Sequence, residues 1–244
     1  MANQLLENAI VITGAGRRIG HHIALRLHQD GYEVIAHYRT LTPEIQALAM
    51  LGIKTLQADL SNSKQILAFV AALKICCKRF RGIIHNASSF ESTSQDIEIA
   101  VEQYKQFFNI HMMAPFLINQ SLQSMLIGEE GCPADIIHIT DINAENPTPD
   151  FDIYGSTKAG LHNMTLASAK KFGPEIKVNA VAPGPVLFTN AHSDEARQQI
   201  LAETLLGREG GPEPVYLAVK SLLMNPFITG ASIPVDGGRR LSKR

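Results

Sequence analysis

Charge of either sign is scarce in this sequence of 244 residues, and the two signs are nearly balanced. Charged residues make up 18% of the chain, with 22 Lys and Arg against 23 Asp and Glu, for a formal net charge of −1. Binding to nucleic acid or to an anionic membrane requires a surplus of Lys and Arg on one face. We therefore expect neither partner.

Long apolar runs and a leader segment are also missing. No uninterrupted apolar stretch approaches the ~20 residues that a membrane-spanning helix needs. The N-terminal residues MANQLLENAIVIT carry no basic segment before their apolar stretch and no small-residue cleavage pattern, so a secretory signal is not expected. These features predict a cytoplasmic protein.

Cysteine is rare, and the spacing of the cysteines argues against both a disulfide and a zinc site. The three cysteines, Cys76, Cys77 and Cys132, include an adjacent pair that would form a strained disulfide, so we expect them to be reduced. No spacing of Cys and His is typical of zinc, and no metal site is predicted.

Short apolar runs typical of β-strands alternate with longer helical patterns along the chain. This alternation is typical of βαβ units, and it predicts an α/β fold with a doubly wound parallel sheet and helices on both faces. No repeat or linker interrupts it, so residues 1–244 are predicted to form one domain. The predicted strands are 9–13, 33–38, 54–58, 82–85, 135–140, 177–181 and 232–235, with an irregular loop from residue 183, and the predicted helices are 19–29, 43–51, 63–77, 97–127, 151–172, 193–206 and 213–224.

A glycine-rich turn, TGAGRRIG at residues 13–20, joins the first predicted strand to the first predicted helix. Glycines let the backbone turn tightly and approach a pyrophosphate, and the free amides at the start of a helix carry partial positive charge. Because the turn lies between a strand and a helix, the pattern favours nucleotide binding over an ordinary connection.

The end of the second predicted strand bears on the choice between NADH and NADPH. A carboxylate about 20 residues beyond the glycine turn would accept hydrogen bonds from the adenosine ribose of NADH. This chain instead has Tyr38, Arg39 and Thr40. A guanidinium and a hydroxyl bind a 2′-phosphate, so NADPH is predicted. The alternative is that Arg39 is a solvated charge at a strand end.

Tyr154 and Lys158 are four residues apart in a predicted helix, and therefore lie on one of its faces. A phenol has a pKa near 10, and a neighbouring ammonium favours its ionised form, so we expect Lys158 to lower the pKa of Tyr154. Such a pair can donate a proton to a substrate that receives hydride. Pairs at this spacing also occur by chance on helix surfaces.

Together these motifs resemble the short-chain dehydrogenase/reductase family over nearly the whole chain. Two further motifs lie between the glycine turn and the Tyr-Lys pair, Asp59 and Asn86-Ala87. Four more follow the pair in the family's order: Asn179, Pro183-Gly184, the segment 228–230 and the segment 235–238. The resemblance implies a Rossmann-type fold, an adenine contact at Asp59, a cofactor lining at Asn86 and Ala87, and a hold on the nicotinamide ribose at Lys158. The cofactor residues implied by motif and resemblance together are Gly14, Arg18, Ile19, Gly20, Tyr38, Arg39, Thr40, Asp59, Leu60, Asn86, Ala87, Ser88, Tyr154, Lys158, Pro183 and Gly184.

Two residues depart from the family's pattern. Asp141 lies thirteen residues before Tyr154, where the family has its catalytic serine, and Arg18 replaces a glycine. A serine hydroxyl stabilises the oxyanion that forms when a ketone is reduced, whereas a carboxylate opposes it. A carboxylate beside the tyrosine is instead suited to relaying a proton to a ring nitrogen while a C=N bond accepts hydride.

Both departures resemble the pteridine reductase branch of the family. That resemblance implies reduction of a dihydropterin, such as dihydromonapterin or dihydrobiopterin, with dihydrofolate as a slower substrate. It also implies that Phe90 stacks on the pterin, since stacking suits a flat heteroaromatic ring. Phe90 could alternatively be a core aromatic. The substrate residues are then Arg18, Ser88, Phe90, Asp141 and Tyr154, and the catalytic residues are Tyr154, Lys158 and Asp141.

Several alternatives stay open at this point. His111 could carry protons or could only pack between helices. The enzyme could reduce a ketone or an acyl-carrier substrate, or the chain could be a non-catalytic NADPH-binding module. The family resemblance implies a homotetramer. Loops near 90–97 and 185–206 are expected to select the pterin, and the basic tail at 239–244 is expected to be solvated.

Overall fold

A single sheet of parallel strands organises the chain in the computed structural model, which describes residues 5–188 and 193–242. Within these residues the sheet has seven strands in the order β3-β2-β1-β4-β5-β6-β7, and every neighbouring pair is parallel. The strands are β1 (Ala9–Ile12), β2 (Val34–Tyr38), β3 (Lys54–Gln57), β4 (Phe80–His85), β5 (Ala134–Ile139), β6 (Ile176–Pro183) and β7 (Ser232–Val235). The predicted doubly wound parallel sheet is therefore confirmed.

The α-helices lie on both faces of this sheet, as crossover connections between parallel strands require. Several begin at a side chain that accepts hydrogen bonds from the first turn, including Thr42, Asn62, Asp96 and Ser193. The helices in the described ranges are α1 (Arg18–Gln29), α2 (Pro43–Met50), α3 (Ser63–Cys76), α4 (Ile97–Phe108), α5 (Ala114–Leu122), α6 (Asp152–Phe172), α7 (Asp194–Ala202) and α8 (Glu213–Met224).

Alternate residues of each strand belong to two separate apolar cores. On β1, Ala9 and Val11 face the core that contains residues of α3, α5 and α6. Ile10 and Ile12 face the other core, which contains residues of α1, α2 and α8. Both faces of a parallel sheet are covered in this way, so most residues of its central strands are apolar, whereas the edge strand β3, KTLQ, is mostly polar.

The predicted boundaries differ from the observed ones mainly in three places. The predicted helix 97–127 is divided into α4, a π-helical segment at Asn109–Met113 and α5, which begins one residue before Pro115. β6 continues to Pro183, beyond the predicted end at 181, because Pro183 pairs with Val235 of β7. The predicted helix 193–206 ends at Ala202, since the backbone then turns and Leu206 N–H donates to the Gly237 carbonyl.

Some features of the surface bear on the expected partners. No helix in the described ranges is long and apolar enough to cross a membrane.

One face of α4 exposes Ile97, Val101, Tyr104 and Phe108 at helical spacing. Parts of the N-terminal segment, of the predicted selectivity loop and of the basic tail lie outside the described residues, at 1–4, 189–192 and 243–244.

Candidate active site

The glycine turn meets the end of β4 at the position where the strand order of the sheet reverses. β1 has β2 on one side and β4 on the other, so the loops that follow these strands diverge and leave a crevice. Gly14 has φ +68°, and a Cβ there would lie 2.7 Å from the Ala87 Cα atom. A Cβ on Gly20 would lie 2.3 Å from Asn86 Nδ2. Glycine is therefore required at both positions.

Two side chains that the sequence analysis left without a role hold this turn in place. Thr13 Oγ1 accepts hydrogen bonds from the amides of Asn86 and Ala87, each at 3.0 Å. His37 Nδ1 accepts from the Gly14 amide at 3.0 Å, so the ring proton is on Nε2, which lies 3.0 Å from the Ala58 carbonyl oxygen. Burial lowers the pKa of His37 to about 4. The only signal in the sequence was a polar histidine within an apolar strand.

Asn86 acts in the structure as part of the same support. Its Nδ2 donates to the carbonyls of Thr13 and Gly14, each at 3.0 Å. At the start of α1, Arg17 has an extended backbone and no side chain caps the helix. The amides of the first turn therefore face the crevice without a capping side chain, which is the arrangement that binds a phosphate.

The ends of β2 and β3 form the next part of the crevice. Tyr38 ends β2, and Arg39 and Thr40 follow it as exposed residues. The Asp59 carboxylate accepts hydrogen bonds from the Ser61 amide and hydroxyl at 2.9 and 2.7 Å, and the charge of Arg39 acts on it. Leu60 is buried in the core, so only its backbone can face a ligand.

Tyr154, Asp141 and Lys158 come together where β5 ends and α6 begins. The Tyr154 hydroxyl donates to Asp141 Oδ2 at 2.8 Å. Lys158 Nζ donates to the Ile139 carbonyl at 2.9 Å and lies 5.7 Å from the centre of the Tyr154 ring. Tyr154 and Lys158 are 4% and 2% exposed, so their contacts are shielded from solvent.

The expectation that Lys158 lowers the pKa of Tyr154 is wrong for this structure. Burial and the neighbouring Asp141 carboxylate raise the pKa of Tyr154 well above its usual range. Burial also raises the pKa of Asp141, although the Asn143 amide, Tyr154 and Lys158 oppose the change. Burial lowers the pKa of Lys158 to about 8. The phenol is therefore neutral, and its proton lies between Tyr154 and Asp141.

Phe90 lies on the open side of this group and is not a core residue, since 46% of it is exposed. Its ring stacks on Phe151 with centres 4.5 Å apart, and it meets the Tyr154 ring edge-on at 4.9 Å. Arg18 extends over the same cleft and donates to the Leu187 carbonyl at 2.8 Å. Aromatic and cationic side chains thus converge beside the Tyr154 hydroxyl.

The remaining predicted residues occupy the rim and supports of the cleft. Ile19 packs in the core beneath the turn, and Gly184, after Pro183, donates its amide to the Val235 carbonyl. Ser88 lies exposed beside the buried His111. The expectation of a solvated basic tail is wrong for Arg239, which pairs with Glu203 at 3.0 Å and whose charge acts on Asp141.

Comparisons with known proteins agree with this architecture. The family model described as "Enoyl-(Acyl carrier protein) reductase" matches residues 14–240. A protein of Klebsiella pneumoniae subsp. pneumoniae named dihydromonapterin reductase is 38% identical over 232 residues, 95% of this chain and 96% of its own. A protein of the same name from Enterobacter sp. is 38% identical over 240 residues, 97% of this chain and 98% of its own.

Two solved structures are similar over almost their full length. A mutant short-chain dehydrogenase/reductase from Serratia marcescens has a TM-score of 0.85 and 27% identity, and the match covers 97% of this chain and 99% of that one. A 4-hydroxyisoleucine dehydrogenase complexed with NADH has a TM-score of 0.87 at 22% identity, covers 97% of this chain and 100% of its own, and supports the fold alone. With these matches, the glycine turn and the Tyr154–Lys158 pair, the chain belongs to the short-chain dehydrogenase/reductase family.

Proposed function

We propose that this oxidoreductase uses NADPH to reduce a C=N bond of a dihydropterin, such as dihydromonapterin or dihydrobiopterin, to give the tetrahydropterin. The observation that carries the proposal is the hydrogen bond of 2.8 Å from the Tyr154 hydroxyl to the Asp141 carboxylate. The relatives named dihydromonapterin reductase, 38% identical over 95% of this chain, support the same substrate class. Dihydrofolate is proposed as a slower substrate.

The residues of the crevice fit a nicotinamide dinucleotide. The turn from Gly14 to Gly20 and the uncapped start of α1 would hold the pyrophosphate. Arg39 and Thr40 would hold the 2′-phosphate of NADPH, because a guanidinium pairs strongly with phosphate. Asp59 would contact the adenine, Asn86 to Ser88 the nicotinamide side, and Lys158 the nicotinamide ribose. When bound, the reduced nicotinamide supplies the hydride.

The protein's own contribution to the reaction is a proton held at Tyr154 Oη. The raised pKa values of Tyr154 and Asp141 keep this proton on the pair near neutral pH. As a ring carbon of the pterin accepts hydride, the adjacent nitrogen becomes basic and takes the proton from the Tyr154 hydroxyl. The Lys158 ammonium, buried beside the pair, offsets the negative charge that is left.

The same carboxylate disfavours reduction of a ketone. Negative charge develops on the oxygen of a carbonyl as it accepts hydride, and a carboxylate beside that oxygen raises the barrier. In C=N reduction the ring nitrogen of the substrate takes up a proton as the adjacent carbon accepts hydride, so no oxyanion forms on the substrate beside the carboxylate. Reduction of ketone or acyl-carrier substrates is the alternative that an assay must exclude.

The cleft also suits a flat, polar heterocycle. Phe90 presents an exposed aromatic ring beside Tyr154, and we propose that the pterin stacks on it. Arg18 and Ser88 supply a guanidinium and a hydroxyl at the same rim for the polar edge of the ring. The Phe90 ring is itself held by stacking on Phe151.

The test is NADPH oxidation with dihydromonapterin, dihydrobiopterin and dihydrofolate in parallel, with NADH and small ketones as controls, for the wild type and for Asp141→Ser. We expect turnover of a dihydropterin with NADPH. We expect Asp141→Ser to lower kcat on the dihydropterin about 100-fold or more, because general acid catalysis contributes roughly that much. Its dissociation constant for NADPH should stay within about twofold, since Asp141 lies on the proton-donating side of the cleft.

Two results would contradict the proposal. If Asp141→Ser retains wild-type turnover, the carboxylate does not relay the proton. If the wild type binds NADPH but oxidises it with a ketone and with no pterin, the chain is a carbonyl reductase of the same family. Oxidation with neither class would favour a non-catalytic NADPH-binding module.

We further propose that residues 1–244 form one domain that assembles as a cytoplasmic homotetramer and acts on a small molecule. The apolar stripe on α4 and exposed aromatic and aliphatic side chains on α5 and α6, Phe116 and Leu166, support burial against other subunits. Cys76, Cys77 and Cys132 are free thiols, which supports a reducing compartment.

A further inference from the structure

The Ser88 hydroxyl, at the rim of the proposed substrate cleft, forms a hydrogen bond with a buried histidine, His111. Ser88 Oγ lies 2.9 Å from Nε2 of His111. Ser88 is exposed, whereas His111 is only 1% exposed, so the imidazole is an internal support and not part of the cleft surface. The histidine projects from the π-helical segment Asn109–Met113, whose extra residue per turn displaces it from the α-helical register.

The hydrogen bond on the other side of the imidazole fixes its tautomer. His111 Nδ1 lies 2.8 Å from Thr157 Oγ1. Thr157 has one hydroxyl proton and donates it to the Tyr154 carbonyl at 2.8 Å, because a carbonyl oxygen can only accept. His111 Nδ1 must therefore be the donor to Thr157 and must carry a proton.

The imidazole is neutral, so its second nitrogen is an acceptor. Burial and the nearby Lys158 ammonium lower the pKa of His111 well below its usual range. With the single ring proton on Nδ1, Nε2 presents a lone pair to Ser88. Within the described residues, Nε2 has no other hydrogen-bonding partner than Ser88 Oγ.

Three groups lie near the Ser88 hydroxyl proton, and of these His111 Nε2 is the acceptor that has no other donor in the described residues. The Ser89 carbonyl lies at 3.3 Å, which is longer than the 2.9 Å to His111 Nε2. If the proton pointed to Ser89, the lone pairs of Ser88 and His111 would face each other at 2.9 Å. The Tyr154 hydroxyl also interacts with Ser88, and its oxygen can accept a proton while it donates its own to Asp141. The hydrogen bonds of Ser88 Oγ in the described residues, however, go to the Ser89 carbonyl and to His111 Nε2, and the one to His111 is the shorter.

We propose that His111 is a positioning residue that directs the Ser88 hydroxyl proton away from the cleft, so that Ser88 presents only acceptor lone pairs to the substrate. This inference rests on the proposed function and deepens it. The group that Ser88 recognises is then an N–H donor on the edge of the pterin, either its amino group or a ring N–H. The chain Tyr154 carbonyl, Thr157, His111 and Ser88 transmits this polarity from α6 to the cleft.

The experiment is a double-mutant cycle on His111→Leu and Ser88→Ala, with a second pair, Thr157→Val and Thr157→Ser, that leaves the imidazole in place. Two quantities are measured for each enzyme: the dissociation constant of oxidised biopterin in the presence of NADP⁺, and the KM and kcat for dihydrobiopterin with NADPH. Circular dichroism and NADPH binding confirm that each variant is folded.

We expect His111→Leu and Ser88→Ala each to weaken biopterin binding and raise KM about tenfold, the effect of one lost hydrogen bond, with kcat within about threefold of wild type. The double variant should lose no more than either single variant, because both changes remove the same contact. Thr157→Val should show a similar loss, because the tautomer is no longer fixed, and Thr157→Ser should bind like wild type.

Several results would overturn the role of His111. These are unchanged pterin binding in His111→Leu, an additive loss near 100-fold in the double variant, or equal binding by Thr157→Val and Thr157→Ser. If His111→Leu fails to fold, the Thr157 pair still decides the question. Wild-type enzyme that reduces no dihydropterin would overturn the proposed function itself, whereas wild-type turnover with an additive cycle overturns only the inference about His111.

Discussion

At the scale of single residues, the chemistry of the cleft depends on which groups are charged and which are neutral. Asp141 supplies negative charge 2.8 Å from a phenol, and Lys158 supplies buried positive charge beneath the same ring. His37 and His111 lie next to this machinery as neutral imidazoles, each with its proton fixed on one nitrogen by its neighbours. Donor and acceptor positions are thereby set before a ligand arrives, which lowers the cost of binding it.

Arg39 provides the residue-scale prediction for the cofactor. We expect Arg39→Ala to weaken NADPH binding about 10- to 100-fold, because a charge-assisted hydrogen bond contributes about 1.5–3 kcal/mol. NADH has no 2′-phosphate, so its dissociation constant should change less than about threefold. Titration of both cofactors by fluorescence measures the two constants.

The matched control is Arg79→Ala, an exposed arginine just before β4, at the opposite edge of the sheet. It should leave the affinity for both cofactors unchanged. Equal weakening of NADPH by the two variants would show a general effect of surface charge, and an unaffected Arg39→Ala would show that Arg39 is a solvated charge.

Residues that act through short-range patterns could be predicted from the sequence, and residues that act through long-range contacts could not. Tyr154 and Lys158 are four residues apart, and the glycines occur in one turn, so their proximity follows from helix and turn geometry. His37 reaches Gly14 across 23 residues, and Arg239 acts on Asp141 from the C-terminal end of the chain. Such contacts require the sheet order, which local patterns do not contain.

At the scale of elements, the start of α1 combines a side chain that we propose to bind substrate, Arg18, with an unfavourable backbone conformation. Arg18 has φ +54°, in the left-handed region that disfavours residues with a Cβ. The family usually has glycine at this position, so the arginine is retained here at a cost in stability of about 1 kcal/mol. Its guanidinium reaches the cleft and donates to the Leu187 carbonyl at 2.8 Å.

Arg18→Gly and Arg18→Ala separate the two effects. Both variants remove the guanidinium, so both should raise the KM for the dihydropterin about tenfold or more. Only Arg18→Gly relieves the backbone, and its free energy of unfolding should exceed that of Arg18→Ala by about 1 kcal/mol. Urea denaturation measures the difference, and an alanine variant as stable as the glycine variant would contradict the strain.

Helices and strands themselves were mostly predictable from periodicity, and the exceptions have local causes. The segment 97–127 has a continuous helical pattern, but a π-helical turn interrupts it and rotates His111 toward Ser88 and Thr157. Apolar residues lie directly on both sides of this turn, at 107–108 and 114–118, so the sequence pattern does not reveal the extra residue. Periodicity therefore predicted a helix but not the register that places His111.

At the scale of the whole molecule, a buried ionic cluster joins three strands at the edge opposite the cleft. Asp135 on β5 lies 2.6 Å from Arg81 on β4 and 3.0 Å from Lys177 on β6. The two cations also donate to carbonyls at the end of α8, Leu223 at 3.0 Å and Leu222 at 2.8 Å. Removing one member would leave a buried charge without its partner, which costs about 3–5 kcal/mol. The ionic cluster thus ties β4, β5 and β6 together at the end of the sheet opposite the cleft, and the C-terminal ends of the strands are left to form the cleft.

The homotetramer implied by the family resemblance stays a prediction at this scale. The exposed stripe on α4 adjoins the face of the helix on which Ala100 and Phe107 are buried. A symmetric pair of such stripes could cover one another in a twofold interface. The mass in solution decides between one, two and four copies of the 26.7 kDa chain.

Four buried histidines predict how the stability of the whole fold depends on pH. His37, His85, His111 and His138 are each at most 4% exposed. Burial lowers the pKa of His37 and His85 to about 4 and those of His111 and His138 well below 6.5. An unfolded chain binds protons at these sites below pH 6.5, whereas the folded chain does so only near pH 4 or below. The contribution of these histidines to the free energy of unfolding is therefore fully present above pH 6.5, and it is lost as the pH drops from 6.5 toward 4.

Each of these histidines contributes a slope of up to about 1.4 kcal/mol per pH unit to the free energy of unfolding. Asp135 and Asp141, whose pKa values are raised, act in the opposite direction at the acidic end of this range, so the net slope is smaller than the sum. Urea unfolding at pH 7.5, 6 and 5 should show this loss of stability. His85→Gln, which removes one buried imidazole on the Asn119 side of the sheet, should reduce the slope. A free energy of unfolding that is constant from pH 7.5 to 5 would mean that the histidines are protonated inside the fold, and the tautomer assigned to His111 would then be wrong as well.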